Sequence, residues 1–144
     1  MPDYDILTEL LDLPNVQVTH YQRGESNRVT VFIESTQSAA LCPKCQHASL
    51  SIHDASPAQI IRDLPIWNQA CWLSYAPRRF ECGVCQNTFV ERVAWREPGF
   101  DYTVRYEEFI FEQVRRESVT QVAHDEQMSE DIIQGIFERW AKKR

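Results

Sequence analysis

The sequence has few glycines and no long apolar run, and these shortages exclude several classes of protein. Its 4 glycines are scattered along 144 residues, so no glycine-rich loop is available to bind phosphate. No stretch approaches the roughly 20 apolar residues that span a bilayer, and the first residues lack the basic region and apolar run of a secretory signal. No nucleophile stands beside a suitable base. We therefore expect a cytoplasmic protein that is not an enzyme, with no membrane association, no small-molecule substrate and no catalytic residues.

Positive charge is also scarce. The formal net charge is −6, which disfavours broad, charge-driven binding to DNA. The charge is uneven, because residues 41–100 carry 6 basic and 5 acidic residues while residues 1–40 carry 2 and 6. Residues 101–144 carry 7 basic and 10 acidic residues, and the basic ones include the C-terminal tip, Lys142, Lys143 and Arg144.

Four of the five cysteines form two C-x-x-C motifs. Cys42 and Cys45 make the first, and Cys82 and Cys85 make the second after 36 intervening residues. Two such turns place four thiolates at the corners of a tetrahedron, the geometry that Zn²⁺ prefers. Two redox pairs or two disulfides are the alternative, but neither motif opens a helix in a βαβ unit. The spacing therefore predicts one structural zinc ion, whose four sulfur ligands leave no open position for catalysis.

Two other residues near these motifs invite a functional interpretation. His47 lies two residues after Cys45 and could replace a sulfur ligand, but four thiolates make that unnecessary. Cys71 has no C-x-x-C partner, and a lone cysteine in a strand is usually a small buried hydrophobe. Its role is left open by the sequence.

The first 40 residues predict a helix followed by a β-hairpin. Ile6, Leu7, Leu10 and Leu11 recur at helical spacing, with Asp3 as the expected cap. Strands are predicted over residues 16–23 and 28–34, joined by a turn at residues 24–27. Two strands alone are marginally stable, so we expect the hairpin to pack on the zinc section.

The zinc section should be a β-ribbon. Strands are predicted at residues 60–64, 70–75, 78–81 and 88–90, the third of which leads directly into the second knuckle. Phe80 and Phe89 flank the metal, where they would exclude water from the sulfurs. Stacking on a nucleic-acid base is the alternative role for either ring.

Residues 98–144 predict three helices after the turn signal at residues 97–99. The first covers residues 104–117. The second begins at Ser118, which forms a capping box with Gln121, and ends near Asp125. The third is capped by Ser129, runs through Trp140 and should bury Ile132, Ile133, Ile136, Phe137 and Trp140. A long helix, a short helix, a tight turn and a third helix is the helix-turn-helix pattern.

The predicted fold class is therefore α+β. An N-terminal helix and β-hairpin pack on a four-cysteine zinc ribbon, and a three-helix helix-turn-helix unit follows. We place the first domain at residues 1–97 and the second at residues 98–144.

The order of these segments resembles the N-terminal region of bacterial insertion-sequence transposases of the IS-L-three (ISL3) family. The similarity lies in L-C-P-K-C at residues 41–45, I-R-D-L-P at 61–65, R-R-F-E-C-G-V-C at 78–85, T-F-V-E at 88–91 and the helical segment after them. The resemblance implies that the four knuckle cysteines bind zinc and that the helix beginning after Ser129 contacts DNA. The catalytic domain that follows in this family has no counterpart here, so we expect a DNA-binding module without catalysis of its own.

Two departures from the family pattern bear on DNA binding. Gln127 occupies the position where the family's second helix usually ends on glycine, so it must adopt a left-handed conformation. The exposed face of the third helix should offer Glu130, Asp131 and Glu138, which repel phosphates, and Gln134, which could read adenine. The DNA-binding residues that we predict are Arg78, Arg79, Arg115, Arg116, Gln134, Lys142, Lys143 and Arg144.

Two other classes of function compete with DNA binding. A protein-protein interaction or regulatory adaptor could reuse the same scaffold and meet a protein partner at the acidic face of the third helix. A zinc or redox sensor would need a poised thiol, for which Cys71 is the only spare cysteine, so it ranks last.

Overall fold

The chain forms four helices and nine strands within residues 4–143, the part described by a computed structural model. In chain order they are α1 (Asp5–Leu11), β1 (Val16–Arg23), β2 (Arg28–Ser35), β3 (Ala40–Leu41), β4 (Ala48–Ser49), β5 (Ser51–Ala55), β6 (Gln59–Ile66), β7 (Gln69–Tyr75), β8 (Arg78–Glu81), β9 (Thr88–Val90), α2 (Val104–Arg116), α3 (Val119–Glu126) and α4 (Glu130–Lys143). The α+β class and the order of segments agree with the prediction. Among residues 4–143, no helix is both long enough and apolar enough to cross a membrane.

The largest sheet has four strands in the order β1-β2-β7-β6. β1 and β2 form the predicted hairpin, and β2 pairs in parallel with β7. The pairing places Val31 opposite Leu73 and Ile33 opposite Tyr75, so the buried residues of both strands point to one face. The strands at residues 60–64 and 70–75 were expected in the zinc ribbon. That placement was wrong, because their alternating apolar residues complete the core of the hairpin sheet.

Helix α1 covers one end of this sheet. Leu11 is buried in the same core cluster as Val16, Val18 and Trp95. The Thr8 hydroxyl accepts a hydrogen bond from the backbone N–H of Val18 at 2.9 Å, which occupies part of the open edge of β1. The expected cap, Asp3, lies outside the described residues, and Tyr4 at the N-cap position makes no side-chain capping bond.

The ribbon consists of a two-stranded sheet, β3-β4, and a three-stranded sheet, β5-β8-β9. β8 and β9 have the predicted bounds. β3, β4 and β5 were not predicted, because two-residue strands carry no periodicity and every residue of β5 is exposed. The ribbon therefore draws its strands from around the two knuckles and excludes β6 and β7.

The C-terminal helices have the predicted arrangement. The Ser118 hydroxyl accepts from the N–H of Gln121 at 3.0 Å, and the Ser129 hydroxyl accepts from the N–H of Ile132 at 3.2 Å. The second half of the predicted capping box was wrong, because the Gln121 side-chain amide donates to the Asp125 carboxylate at 2.8 Å and does not reach back to Ser118. Gln127 is left-handed (φ 56°, ψ 48°), which costs a residue other than glycine about 1 kcal/mol. A second expectation was also wrong, because Ile132 is 41% exposed. It lines a cavity between α4 and the sheet together with Arg62 and Trp72.

The helical unit contacts the main sheet through β6. The backbone N–H of Arg62 donates to the carbonyl of Asp101 at 2.8 Å, and the N–H of Thr103 donates to the carbonyl of Arg62 at 2.9 Å. Beside them, the buried Asp63 carboxylate accepts from the Thr103 hydroxyl at 2.7 Å and from Arg105 Nη2 at 2.6 Å. The start of α2 is thereby attached to the sheet by both backbone and side-chain bonds.

Candidate metal centre and nucleic-acid interface

The two C-x-x-C motifs fold into matching turns. In the first, the N–H of Cys42 donates to the carbonyl of His47 at 2.9 Å, and the N–H of Gln46 donates back to the carbonyl of Cys42 at 2.8 Å. The second turn repeats both bonds at 2.8 and 3.0 Å with Cys82, Asn87 and Gln86. Gln46 and Gln86 both have positive φ, at 67° and 64°. Each turn reverses the chain within a few residues, which brings both of its sulfurs to the same side.

The four cysteine sulfurs converge on one point. All lie within 4.8 Å of one another, with 3.6 Å between the sulfurs of Cys42 and Cys85 and 3.4 Å between those of Cys45 and Cys82. A tetrahedral zinc site with Zn–S bonds of about 2.3 Å has sulfurs about 3.8 Å apart, whereas a disulfide needs about 2.05 Å. The sulfur positions therefore fit a four-thiolate zinc ion, and all five cysteines are free. The prediction of one structural zinc site is confirmed.

The surroundings of the four sulfurs shift the pKa values of their thiols in opposite directions. Burial opposes ionisation of Cys42, but hydrogen bonds from the backbone N–H groups of Cys45 and Lys44 outweigh it and lower its pKa to about 6. The backbone N–H groups of Cys85 and Val84 lower the pKa of Cys82 in the same way. The backbone of His47 lowers the pKa of Cys45, but burial and the neighbouring thiols raise it to about 12. The site thus holds protons that a cation must displace.

Buried aromatic rings enclose the sulfurs. Phe80 is fully buried and Phe89 is 8% exposed, and both pack in one cluster with Cys42 and Cys82. The two rings stack with centroids 6.2 Å apart. Neither presents a face on which a base could stack, so they act as the expected apolar shell. The His47 ring contacts one of the four cysteines, with its Nδ1 3.4 Å from the Cys45 sulfur.

Helix α4 presents an exposed polar face to solvent. Gln134 and Glu138 lie on it, with the Gln134 amide donating to the Glu138 carboxylate at 3.0 Å. Asp131 is exposed on the same face. The Glu130 carboxylate accepts a hydrogen bond from the Thr120 hydroxyl of α3 and is thereby turned toward the helix-turn-helix unit itself. Two of the three predicted acidic residues therefore remain directed away from the fold.

The structure places Arg78 in a polar network inside the fold. Its side chain is 19% exposed and pairs at 3.1 Å with the fully buried carboxylate of Glu91. Glu91 also accepts from the hydroxyls of Tyr75 and Ser35, each at 3.0 Å. Burial and the adjacent Glu91 raise the pKa of Tyr75, so it remains a donor. Of the arginines predicted to bind DNA, Arg78 is the least available for a phosphate.

Three more of the predicted basic residues have carboxylate partners. Arg79 pairs with Asp54 across the ribbon, Arg115 pairs with Glu112 at 3.4 Å, and Lys143 pairs with Glu97. All three pairs are partly exposed, so each cation still reaches solvent. Arg116 and Lys142 are exposed and, among residues 4–143, have no ion pair. Arg144 lies outside the described residues.

One cation near the helix-turn-helix was missed by the sequence-based prediction. Arg28, at the start of β2, is exposed and donates from Nη2 to the Gln127 side chain at 3.4 Å. Its guanidinium lies 4.9 Å from the Trp72 ring centroid, and no carboxylate of the described chain forms an ion pair with it. Nothing in the local sequence distinguishes Arg28, because its position depends on the long-range pairing of β2 with β7.

Comparison with known proteins finds a family match for the zinc-binding segment and another for the helix-turn-helix segment. Residues 38–85 match the family described as the zinc-finger of transposase IS204/IS1001/IS1096/IS1165. Residues 91–141 match the family described as the helix-turn-helix domain of transposase family ISL3. No curated protein and no solved structure matches the chain significantly.

Proposed function

We propose that this chain, which carries the zinc ribbon and the helix-turn-helix domain of the ISL3 family of transposases, binds duplex DNA through α4 and the cations around it. The observation that supports this most directly is the unit formed by α3, the left-handed turn at Gln127 and the exposed face of α4. Such a unit places its last helix in the major groove. We further propose that the chain performs no chemistry on the DNA, since residues 38–85 and 91–141 match only the ribbon and helix-turn-helix domains.

Among residues 4–143, three exposed cations in or beside the helix-turn-helix segments have no carboxylate partner and are the best candidates for phosphate contacts. Arg28 lies beside the turn that precedes α4, Arg116 ends α2, and Lys142 lies in the last turn of α4. We expect these cations to contact the phosphate backbone of a duplex when α4 enters the groove. The remaining predicted cations must first give up a carboxylate partner before they can bind a phosphate, so each would add less binding free energy. These cations are Arg79, Arg115 and Lys143.

Gln134 is the best candidate for a base contact. It lies in the second turn of α4 on the exposed face, and a glutamine can bond the N6 and N7 edge of adenine. Its present partner, Glu138, would have to release it. Because Asp131 and Glu138 repel phosphates, we expect this helix to bind weakly compared with a basic recognition helix.

The zinc ion has a structural role in this proposal. The four thiolates occupy every position of a tetrahedral site, so the ion stabilises the ribbon and does not activate water. Ligands that must remain reduced thiols also support a reducing compartment, the cytoplasm.

A protein-binding adaptor is the second candidate function. It is favoured by the exposed face of α4, which combines Asp131 and Glu138 with the 41% exposed Ile132. An apolar residue flanked by acids suits a basic, partly apolar protein surface better than a phosphate backbone. A protein partner at this face is thus the alternative to DNA.

Fluorescence anisotropy with labelled mixed-sequence duplexes tests the proposal. If Arg28, Arg116 and Lys142 contact phosphates, log Kd should rise with log salt with a slope of about 3, and Arg116→Gln should lower the slope by about 1. Arg92→Gln removes an exposed charge outside α2, α3 and α4 and is the matched control. Joint substitution of Asp131→Asn and Glu138→Gln should tighten DNA binding. Absence of binding at low salt would favour the adaptor.

A further inference from the structure

The turn between α3 and α4 is held from outside the helix-turn-helix unit. It contains no glycine, and Gln127 is left-handed. Glu126, the residue before it, ends α3, so its carbonyl has no partner within that helix. A turn of this kind needs additional stabilisation if α4 is to keep one orientation.

Arg62 of β6 supplies that stabilisation. Its Nη1 donates to the carbonyl of Glu126 at 2.7 Å, and its Nη2 lies 3.6 Å from the carboxylate of the same residue. A cation at a helix C-terminus also interacts favourably with the helix dipole. The Arg62 side chain is only 12% exposed, so these interactions form largely away from solvent.

Aromatic residues fix the orientation of the Arg62 guanidinium. It lies 5.0 Å from the ring centroid of Trp72 on β7 and 5.1 Å from that of Tyr106 on α2. The Tyr106 hydroxyl donates to the Glu126 carboxylate at 2.6 Å and lies 3.6 Å from the sulfur of Met128, the second residue of the turn. The sheet, α2 and the turn thus meet at one side chain.

We propose that Arg62 is a positioning residue that sets the orientation of α4 relative to the sheet and compensates for the missing glycine at position 127. It does so without touching DNA. The consequence for DNA affinity rests on the function proposed above, whereas the effect on the turn does not. The backbone bonds of Arg62 to Asp101 and Thr103 are independent of its side chain. Substitution of Arg62 therefore removes the interactions of the guanidinium with Glu126 and keeps β6 in place.

The test uses zinc-loaded Arg62→Met, which retains an unbranched side chain between the two rings. Hydrogen exchange of amides 127–133 should accelerate at least tenfold, and the Kd for a mixed-sequence duplex should rise about tenfold. Zinc content and exchange in the ribbon should be unchanged. Arg92→Met, which removes an exposed arginine, is the control. It should change the exchange rate of amides 127–133 and the Kd for the duplex by less than threefold each.

Rescue by glycine separates positioning from general stabilisation. Gln127→Gly should recover at least threefold in Kd in the Arg62→Met background and change it less than twofold in the wild-type background. Equal gains in the two backgrounds would overturn the proposal, as would turn exchange in Arg62→Met that equals that of Arg92→Met. If the wild-type chain binds no duplex, the proposed function fails, and the exchange data still decide the role of Arg62.

Discussion

Removal of the Asp63 carboxylate is the sharpest test of how the helical unit is attached to the sheet. Asp63 is 1% exposed and accepts three hydrogen bonds, from the Thr103 hydroxyl at 2.7 Å and from Arg105 Nε and Nη2 at 2.8 and 2.6 Å. Arg105 also donates to the carbonyl of Leu11 at 2.8 Å. One carboxylate therefore connects β6, the start of α2 and the end of α1.

Asp63→Ala should lower the free energy of unfolding because it leaves the Arg105 guanidinium without its carboxylate partner. Breaking one partner of a buried ion pair costs about 3–5 kcal/mol. The Arg105 side chain is 32% exposed and can partly rehydrate, so we expect about 3 kcal/mol. With a slope of roughly 2 kcal/mol per molar urea, the midpoint should fall by about 1.5 M.

Urea unfolding with zinc in excess measures this cost. The matched control is Asp54→Ala, which removes the carboxylate of the exposed pair with Arg79 and should leave the midpoint nearly unchanged. A midpoint for Asp63→Ala as high as that of Asp54→Ala would refute the claim that the Asp63 network stabilises the junction.

Three further predictions concern the metal and the helix caps. Cys82→Ser should abolish stoichiometric zinc binding, measured by native mass spectrometry, and should unfold the ribbon, because structural zinc sites supply folding energy; full zinc occupancy would contradict this. Zinc affinity, measured by competition with a chromophoric chelator, should fall at least tenfold per pH unit as pH decreases below about 8, because the pKa of Cys45 is raised to about 12 and at least one proton must leave on binding; a flat profile would show that the thiols are already ionised. Ser118→Ala removes the cap of α3 and should cost about 1 kcal/mol in thermal unfolding, whereas Ser38→Ala, on an exposed loop, should cost nothing measurable.

Local signals made the helices and the metal site predictable from sequence. The cap at Ser118, the cap at Ser129 and the left-handed Gln127 each depend on residues a few positions apart. The zinc site is non-local, but each knuckle is a self-contained turn, so two C-x-x-C motifs suffice to predict it.

Long-range contacts account for what the sequence did not reveal. The parallel pairing of β2 with β7 joins residues about 40 positions apart, and apolar alternation alone cannot say which sheet a strand enters. That pairing places Arg28, at the start of β2, where it contacts Gln127. The bonds between β6 and the start of α2 place Arg62 where it contacts Glu126. The inward position of Arg78 likewise depends on Glu91, which lies 13 residues later on the other side of the second knuckle.

Chemical-shift mapping of a duplex on the zinc-loaded chain tests the central claim, that α4 and its flanking cations bind DNA. A mixed-sequence duplex titrated at low salt should shift the amides of residues 127–135, together with those near Arg28 and Arg116, and the shifts should reverse as salt is added. The ribbon core around Phe80 should not respond. Shifts confined to the ribbon, or none at any salt concentration, would contradict the account.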